Sequence, residues 1–256
     1  MTLRLLSYNI RLGGVGRVEA IAAVIRGCAP DVVVLQEATR PDIVRALAGE
    51  TGLPHHGSHR GQSLGFLSRV GIAKSVWRRP LLSRHAFLDL TLDEHDVHIV
   101  GVHLSAVHAA WTERRRLIEL ASLLRAVKAR QHGFHVLAGD FNTLAPGESL
   151  EVQRLPARLR PLVWLSGGSI RWKTIAAVLA AGYADVWRGL HPEGDGSTFP
   201  TWGRHLRLDY VFAPAAAAAR VVRCDVVTVP DTIRASDHHP LVAEIDLPVA
   251  AAAAVG

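Results

Sequence analysis

Residues 134–142 read Phe134-His135-Val136-Leu137-Ala138-Gly139-Asp140-Phe141-Asn142. The first five have the length and apolar composition of a buried strand. A strand that runs into Gly-Asp-x-Asn delivers a carboxylate and a carboxamide to its carboxyl end, where open α/β sheets place their ligand crevices. Asp140 can accept a proton from a water, and Asn142 can donate a hydrogen bond to a phosphate oxygen. Taken alone, the tetrapeptide fits equally well a turn whose Asp and Asn bond their own backbone. The segments on either side decide between the two readings.

Working outward, strands and helices alternate. Leu3–Tyr8 reads as a strand. Val18–Cys28 reads as a helix with Ile21, Val24, Ile25 and Cys28 on one face, closed by Gly27 and Pro30. Asp31–Gln36 carries Val32-Val33-Val34-Leu35, apolar on both faces, as a central strand requires. Pro41–Ala48 is a short helix, and residues 64–103 hold several short strands, the clearest being Val97–His103. Thr112 caps the next helix, with Leu117, Leu120, Ala121, Leu124 and Val127 as its buried stripe and Glu113–Arg116 and Arg125–Arg130 as its wet face. Residues 143–170 are expected to be irregular, and a loop that long in a compact domain is usually functional or mobile. Arg171–Ala181 is predicted helical. Leu206–Phe212, Arg220–Val227 and Leu241–Leu247 are predicted strands. The pattern predicts one two-part α/β domain over residues 1–248, followed by an Ala-rich tail, 249–256.

Polar residues recur where these strands stop. Asn9 follows Leu5–Tyr8, Glu37 follows Val32–Gln36, and His103 closes Val97–Val102. Asp140 and Asn142 follow the central strand, and Ser236-Asp237-His238-His239-Pro240 precedes the last one. Asp209 sits inside the apolar run Arg207–Phe212, where a carboxylate is costly unless paired; His238 is the obvious partner. Singly, each fits a satisfied turn or core position. Six sites at strand termini are hard to attribute to turn chemistry.

This ordered set resembles the endonuclease/exonuclease/phosphatase superfamily, metal-dependent phosphoesterases that include deoxyribonucleases, abasic-site endonucleases, inositol phosphatases and neutral sphingomyelinases. The matching segments are Ser7–Ile10, Leu35–Glu37, Gly101–Leu104, Leu137–Asn142, Arg207–Tyr210 and Ser236–Pro240, which span nearly the whole chain. The resemblance implies an α/β fold in four layers, an α/β/β/α sandwich of two packed mixed sheets flanked by helices. It implies Mg²⁺, with Mn²⁺ as a substitute, at Glu37, supported by Asn9 and with Asp237 close by. It casts Asp140 as the group that orients or deprotonates the attacking water, Asn142 as a phosphate holder, and His238 as the phosphate-facing imidazole oriented by Asp209. His103 matches the histidine near the leaving-group oxygen in the deoxyribonuclease and sphingomyelinase branches. A phosphodiester repels anionic nucleophiles, so a hard cation with oxygen ligands, a general base and an Asp-oriented imidazole are the parts such chemistry needs. In-line attack by water is expected.

Departures narrow the branch. Arg11 stands where abasic-site endonucleases carry an aspartate, which favours one metal, and Thr143-Leu144-Ala145-Pro146 lacks their continuation, so abasic DNA is disfavoured. Ala138 and Thr143 depart from the phosphoinositide phosphatases. A two-metal phosphatase of Gly-Asp-x-x-Asp type lacks its second Asp, again at Thr143; His55-His56 and His239 do not replace it and are assigned to the surface or to supporting positions. A scaffold that lost its chemistry is disfavoured by the intact Glu37, Asp140, Asn142, Asp209 and His238. Phe199, Trp202 and Trp172 flank the expected mouth; aromatics there can stack on bases or meet a lipid, and loop packing is the reading preferred for them.

The bounds agree. A chain of 256 residues with 49% hydrophobic and 20% charged residues can bury a large core. A net charge of +6 favours an anionic partner, although Arg- and Ala-rich composition gives the same figure. Two cysteines, Cys28 and Cys224, make no disulfide framework. That cysteine usage points to a reducing cytoplasm; no transmembrane stretch or signal peptide is expected, and a monomer is. Nucleic acid, DNA or RNA, is the leading substrate class, with a lipid or small phosphodiester second.

Overall fold

The structure, a computed structural model, describes residues 2–80, 83–93, 97–107, 109–128, 134–155, 157–167, 170 and 172–247. Two six-stranded sheets pack face to face. The first runs β11 (Val221–Val226), β12 (Leu241–Asp246), β1 (Thr2–Asn9), β2 (Val32–Gln36), β4 (Leu64–Ser68), β3 (His55–Ser58). The second runs β5 (Ile72–Arg78), β6 (Phe87–Leu92), β7 (Val97–His103), β8 (Phe134–Asp140), β10 (Asp209–Pro214), β9 (Tyr183–Asp185). Each sheet holds one parallel pair, β1 with β2 and β7 with β8, among antiparallel ones. Parallel neighbours end at the same edge, so the residues after them emerge together.

Side-chain alternation builds the layers. Leu3 and Leu5 of β1, Val32 and Val34 of β2, Ile99 of β7, Val136 and Ala138 of β8 and Val211 of β10 meet between the sheets. Leu6 and Tyr8, with Val33 and Leu35, face outward onto α1 (Val18–Cys28), α2 (Pro41–Thr51) and α7 (Asp231–Ala235). Val100, Val102, Leu137 and Phe212 face α3 (Ala110–Lys128) and α5 (Thr174–Ala180) on the other side. The expected four layers are therefore present. In α1, Ile21, Val24, Ile25 and Cys28 are buried as their spacing predicts, and Ala29 in a left-handed conformation ends the helix.

The third helix departs from expectation. Leu120 and Val127 are buried, but Leu117 and Leu124 are half-buried and Ala121 is exposed; Glu113, Arg116 and Glu119 fill the inner face with Leu123. The helix also starts at Ala110, two residues before Thr112, whose hydroxyl donates to the Ala109 carbonyl at 2.8 Å. The residues assigned to its wet face thus include a buried ion pair, Arg116 Nη2 to Glu113 Oε2 at 3.0 Å. Residues 143–170 are not wholly irregular: α4 (Arg160–Leu165) and two short 3₁₀ turns lie within them. The next helix begins at Thr174; Arg171 and the tail from Pro248 on lie outside the described residues. Strand β10 starts at Asp209, so that carboxylate opens its strand. Among the described residues no helix is long and apolar enough to cross a membrane.

Candidate active site

The alternation that makes the core also makes the site. Asn9 continues the inward set Leu3, Leu5, Ser7 of β1, His103 continues Val97, Ile99, Gly101 of β7, and Asp140 continues Val136, Ala138 of β8. Asp209 precedes Val211 and Ala213 on the same face of β10. Register places His103, Asp140 and Asp209 abreast on three neighbouring strands. Across the gap, the Asn9 side-chain amide donates to Asp140 Oδ2 at 3.0 Å, tying one sheet to the other at the mouth.

Glycine permits the approach. Gly139 has φ 152°, and a Cβ there would lie 1.9 Å from the Val102 carbonyl oxygen of the adjacent strand. No side chain fits, which explains the Gly before Asp140. The turn that follows is tight: Asn142 has φ 52°, its backbone N–H donates to Asp140 Oδ1 at 2.8 Å, and its Nδ2 donates to the Leu104 carbonyl at 3.1 Å.

Asp209 and His238 meet as the apolar setting of Asp209 required. His238 Nδ1 lies 2.8 Å from Asp209 Oδ2, and its Nε2 points toward Asp140 Oδ2 at 4.0 Å. Thr198 Oγ1 donates to the same Asp209 oxygen at 2.6 Å. Burial pulls the His238 pKa down, but the charge and hydrogen bond of Asp209, with the Asp140 charge, hold it up to about 10. The imidazole is therefore a cation at neutral pH. Asp140, 1% exposed, is pushed up to about 7 by burial and by the Asp209 charge, against the pull of His238. His103 lies 3.9 Å from Asp140 Oδ2 and has the opposite fate: burial, then the neighbouring His85 and His238, hold its pKa well below the usual histidine range. Its ring stacks on His85 at 4.6 Å, and its Nδ1 is buried with no partner among the described residues.

The remaining expected residues line the other side. Glu37 has φ 56°, which turns the chain sharply as β2 ends; its carboxylate accepts from the Leu12 backbone N–H and lies 3.5 Å from Asn9 Nδ2. Asn9 Oδ1 accepts from the Arg11 N–H at 2.9 Å. Asp237 is joined to the same loop by Arg11 Nε at 3.3 Å. Ser236 braces both, donating to the Asn9 carbonyl at 2.6 Å. Asn9, Glu37 and Asp237 offer the oxygen ligands a hard divalent cation prefers, and the Asn9 amide links Glu37 to Asp140. A tighter group, Asp140, Asp209 and His238, brings its donor atoms within 4.8 Å of one another, but His238 Nδ1 is already committed to Asp209.

The structure thus gathers Asn9, His103, Asp140, Asn142, Asp209 and His238 into one contact network, with Glu37 joined through Asn9 and Asp237 through Arg11. Thr198 and His85 escaped the reading because they sit in loops without periodicity. Of the paired histidines, His55 and His56 are exposed on an edge strand, while His239 is buried and its Nδ1 lies 3.0 Å from the Val227 carbonyl.

Residues 6–238 match the Endonuclease/Exonuclease/phosphatase family, and the chain belongs to it. With membership comes the class of phosphoester hydrolase. No curated protein matches significantly. Among solved structures, a variant of the 3' phosphatase NExo from Neisseria, bound to product DNA hairpin, shares the fold with TM-score 0.72 and 21% identity, covering 95% of this chain and 99% of that one. An AP endonuclease from Archaeoglobus fulgidus has TM-score 0.73 and 18% identity, covering 96% and 100%. An endonuclease/exonuclease/phosphatase from Beutenbergia cavernae DSM 12333 has TM-score 0.69 and 25% identity, covering 96% of this chain and 72% of that one.

Proposed function

We propose that this family member is a Mg²⁺-dependent phosphodiesterase that cleaves nucleic acid by in-line attack of water. The observation that carries the reading is the buried Asp209–His238–Asp140 arrangement, with a cationic imidazole and a carboxylate of raised pKa aimed at one gap. Glu37, Asn9 and Asp237 are the residues that would hold the ion, with Mn²⁺ as a substitute. When bound, it neutralises phosphate charge and acidifies water.

The chain's own groups do the rest. Asp140, oriented by Asn9 and by the Asn142 N–H, accepts the proton of the attacking water; a base near the working pH contributes ~10²–10⁴-fold. His238 donates from Nε2 to a phosphate oxygen, and Asp209, itself held by the Thr198 hydroxyl, keeps the ring protonated and fixes its plane. Asn142 keeps a second amide proton, beyond the one used on Leu104, for the phosphate. His103, neutral, stands on the leaving-group side.

Nucleic acid is the substrate class that the charge of +6 and the DNA-bound relative from Neisseria favour. The test is hydrolysis by purified protein with Mg²⁺ or Mn²⁺ of plasmid DNA, RNA, sphingomyelin, inositol phosphates and bis-p-nitrophenyl phosphate. Nuclease activity with loss of turnover in Asp140→Ala and His238→Ala is expected. Undiminished turnover in both variants removes the mechanism, and hydrolysis of sphingomyelin alone removes the substrate class.

A further inference from the structure

The hairpin between Phe199 and Leu206, which pair in an isolated antiparallel bridge, is bolted to the catalytic strand ends. Thr201 N–H donates to the Asp237 carbonyl at 2.9 Å, and Thr201 Oγ1 to the Ser236 carbonyl at 2.9 Å. His239 N–H donates to the Thr198 carbonyl at 2.8 Å. The hairpin is therefore fixed relative to His238. Phe199 lies with its ring centroid 4.9 Å from that of His238, and Trp202 is one ring further out, 6.5 Å from Phe199.

Trp202 is 63% exposed at the tip. An indole offers about 150–250 Å² of contact area, and at this tip most of it is open to a partner. Loop packing, the sequence-based reading, holds for Phe199 and Trp172, which pack against Leu206, Leu208 and their neighbours, and fails for Trp202. Beyond Phe199, the chain around it carries arginines. Gly203 and Arg204 are exposed, and Arg154, 43% exposed at its side chain, donates to both of their carbonyls at 3.3 Å. Arg154 also pairs with Glu151, in an exposed contact worth little in water. On the site side, Arg11, 46% exposed at its side chain, pairs with Asp237 through Nε.

We infer that Trp202 is a stacking platform for one unpaired base next to the scissile phosphate, and that the site therefore takes single-stranded or frayed nucleic acid. This rests on the phosphodiesterase reading above. An exposed aromatic on a turn that carries Arg204 and is held by Arg154 suits a base joined to phosphates; membrane insertion needs a contiguous apolar surface, which Gly203 and Arg204 interrupt. Bases inside a continuous duplex are stacked on each other and offer no free face to the indole.

The test measures binding of a labelled oligothymidylate and of a duplex of equal length by anisotropy, in EDTA, to the wild type, Trp202→Ala and Trp202→Phe. Bis-p-nitrophenyl phosphate turnover with Mg²⁺ is followed alongside. Trp202→Ala is expected to raise the single-strand Kd by about 10-fold or more, the size of one base–aromatic stack. Trp202→Phe restores most of it, and duplex affinity stays unchanged. An unchanged single-strand Kd, an equal loss on the duplex, or Trp202-dependent binding to phosphatidylserine vesicles in place of the oligonucleotide overturns the inference. Trp202-dependent oligonucleotide binding by a wild type inert toward every phosphodiester sinks the enzymatic reading and leaves the platform standing.

Discussion

Replacing Asp140 by Asn is expected to abolish Mg²⁺-supported turnover and to make the metal-free protein more stable. Asp140 is 1% exposed, and burial, then the Asp209 charge, push its pKa from 3.8 to about 7. A folded-state pKa above the unfolded one means that the native protein holds the proton more tightly. Stability therefore falls as pH rises from about 4 to about 7, and the full penalty is present above that. A difference of about three pH units corresponds to about 4 kcal/mol. Asn returns some of it. One of the two acceptor contacts, to the Asn9 amide or the Asn142 N–H, loses its charge or is broken, at about 1 kcal/mol. His238 also loses an anion 4.0 Å away that helps to hold its proton. The net gain at pH 8 is about 2 kcal/mol, or roughly 4–8 °C in Tm for a chain of this size. Thermal melts of both proteins in EDTA from pH 5 to 8.5 are the assay. The gap should open with rising pH and close, or invert slightly, near pH 5. A gap that does not change with pH, or a variant less stable at pH 8, would refute the assigned burial of charge at this position.

The His238 proton has the opposite sign: a folded pKa held at about 10, against an unfolded 6.5, gives stability that is complete below 6.5 and lost as pH rises toward 10. Asp209→Asn should bring the NMR titration of the His238 ring below 7 and cut turnover at pH 8 by about 10²-fold or more; an unmoved titration rejects the pair. Glu113→Ala should cost about 3–5 kcal/mol in urea denaturation, because Arg116, fully buried, loses its counter-ion; the double change Glu113→Gln, Arg116→Met should recover much of it, and a loss under about 1 kcal/mol in the single variant would show the pair to be idle. Gly139→Ala should fail to give soluble protein, since its Cβ would meet the Val102 carbonyl oxygen at 1.9 Å; a variant of wild-type Tm would contradict the strand geometry.

Elements whose partners are apolar were readable from sequence, and elements whose partners are polar were not. Ile21, Val24, Ile25 and Cys28 carry their burial in their spacing, because an apolar side chain wants burial whatever lies opposite. Glu113 and Glu119 do not. Glu113 is buried because its oxygens accept from the Lys173 N–H, from the Thr174 N–H and hydroxyl, from Thr143 and from Arg116, and Glu119 because it accepts from Ser105 and the Arg84 N–H. Apart from Arg116 on the same helix, those donors lie 14 to 61 residues away along the chain, so no local pattern announces them, and leucine spacing alone points to the wrong face. Thr198 and His85 were hidden for the same reason. The site itself was legible by a different logic. Four of its residues, Asn9, His103, Asp140 and Asp209, occupy inward positions of their strands, where the apolar ladder between the sheets runs out at the mouth. A polar side chain at such a position cannot reach bulk water along the strand and must face its counterparts across the gap, as Asn9 does with Asp140 at 3.0 Å. A slip of one residue in any of these strands would turn its member of the set outward, so the registers that fill the core also fix the chemistry: the pairing of His103, Asp140 and Asp209 cannot change unless Ile99, Val136 and Val211 leave the interior with them.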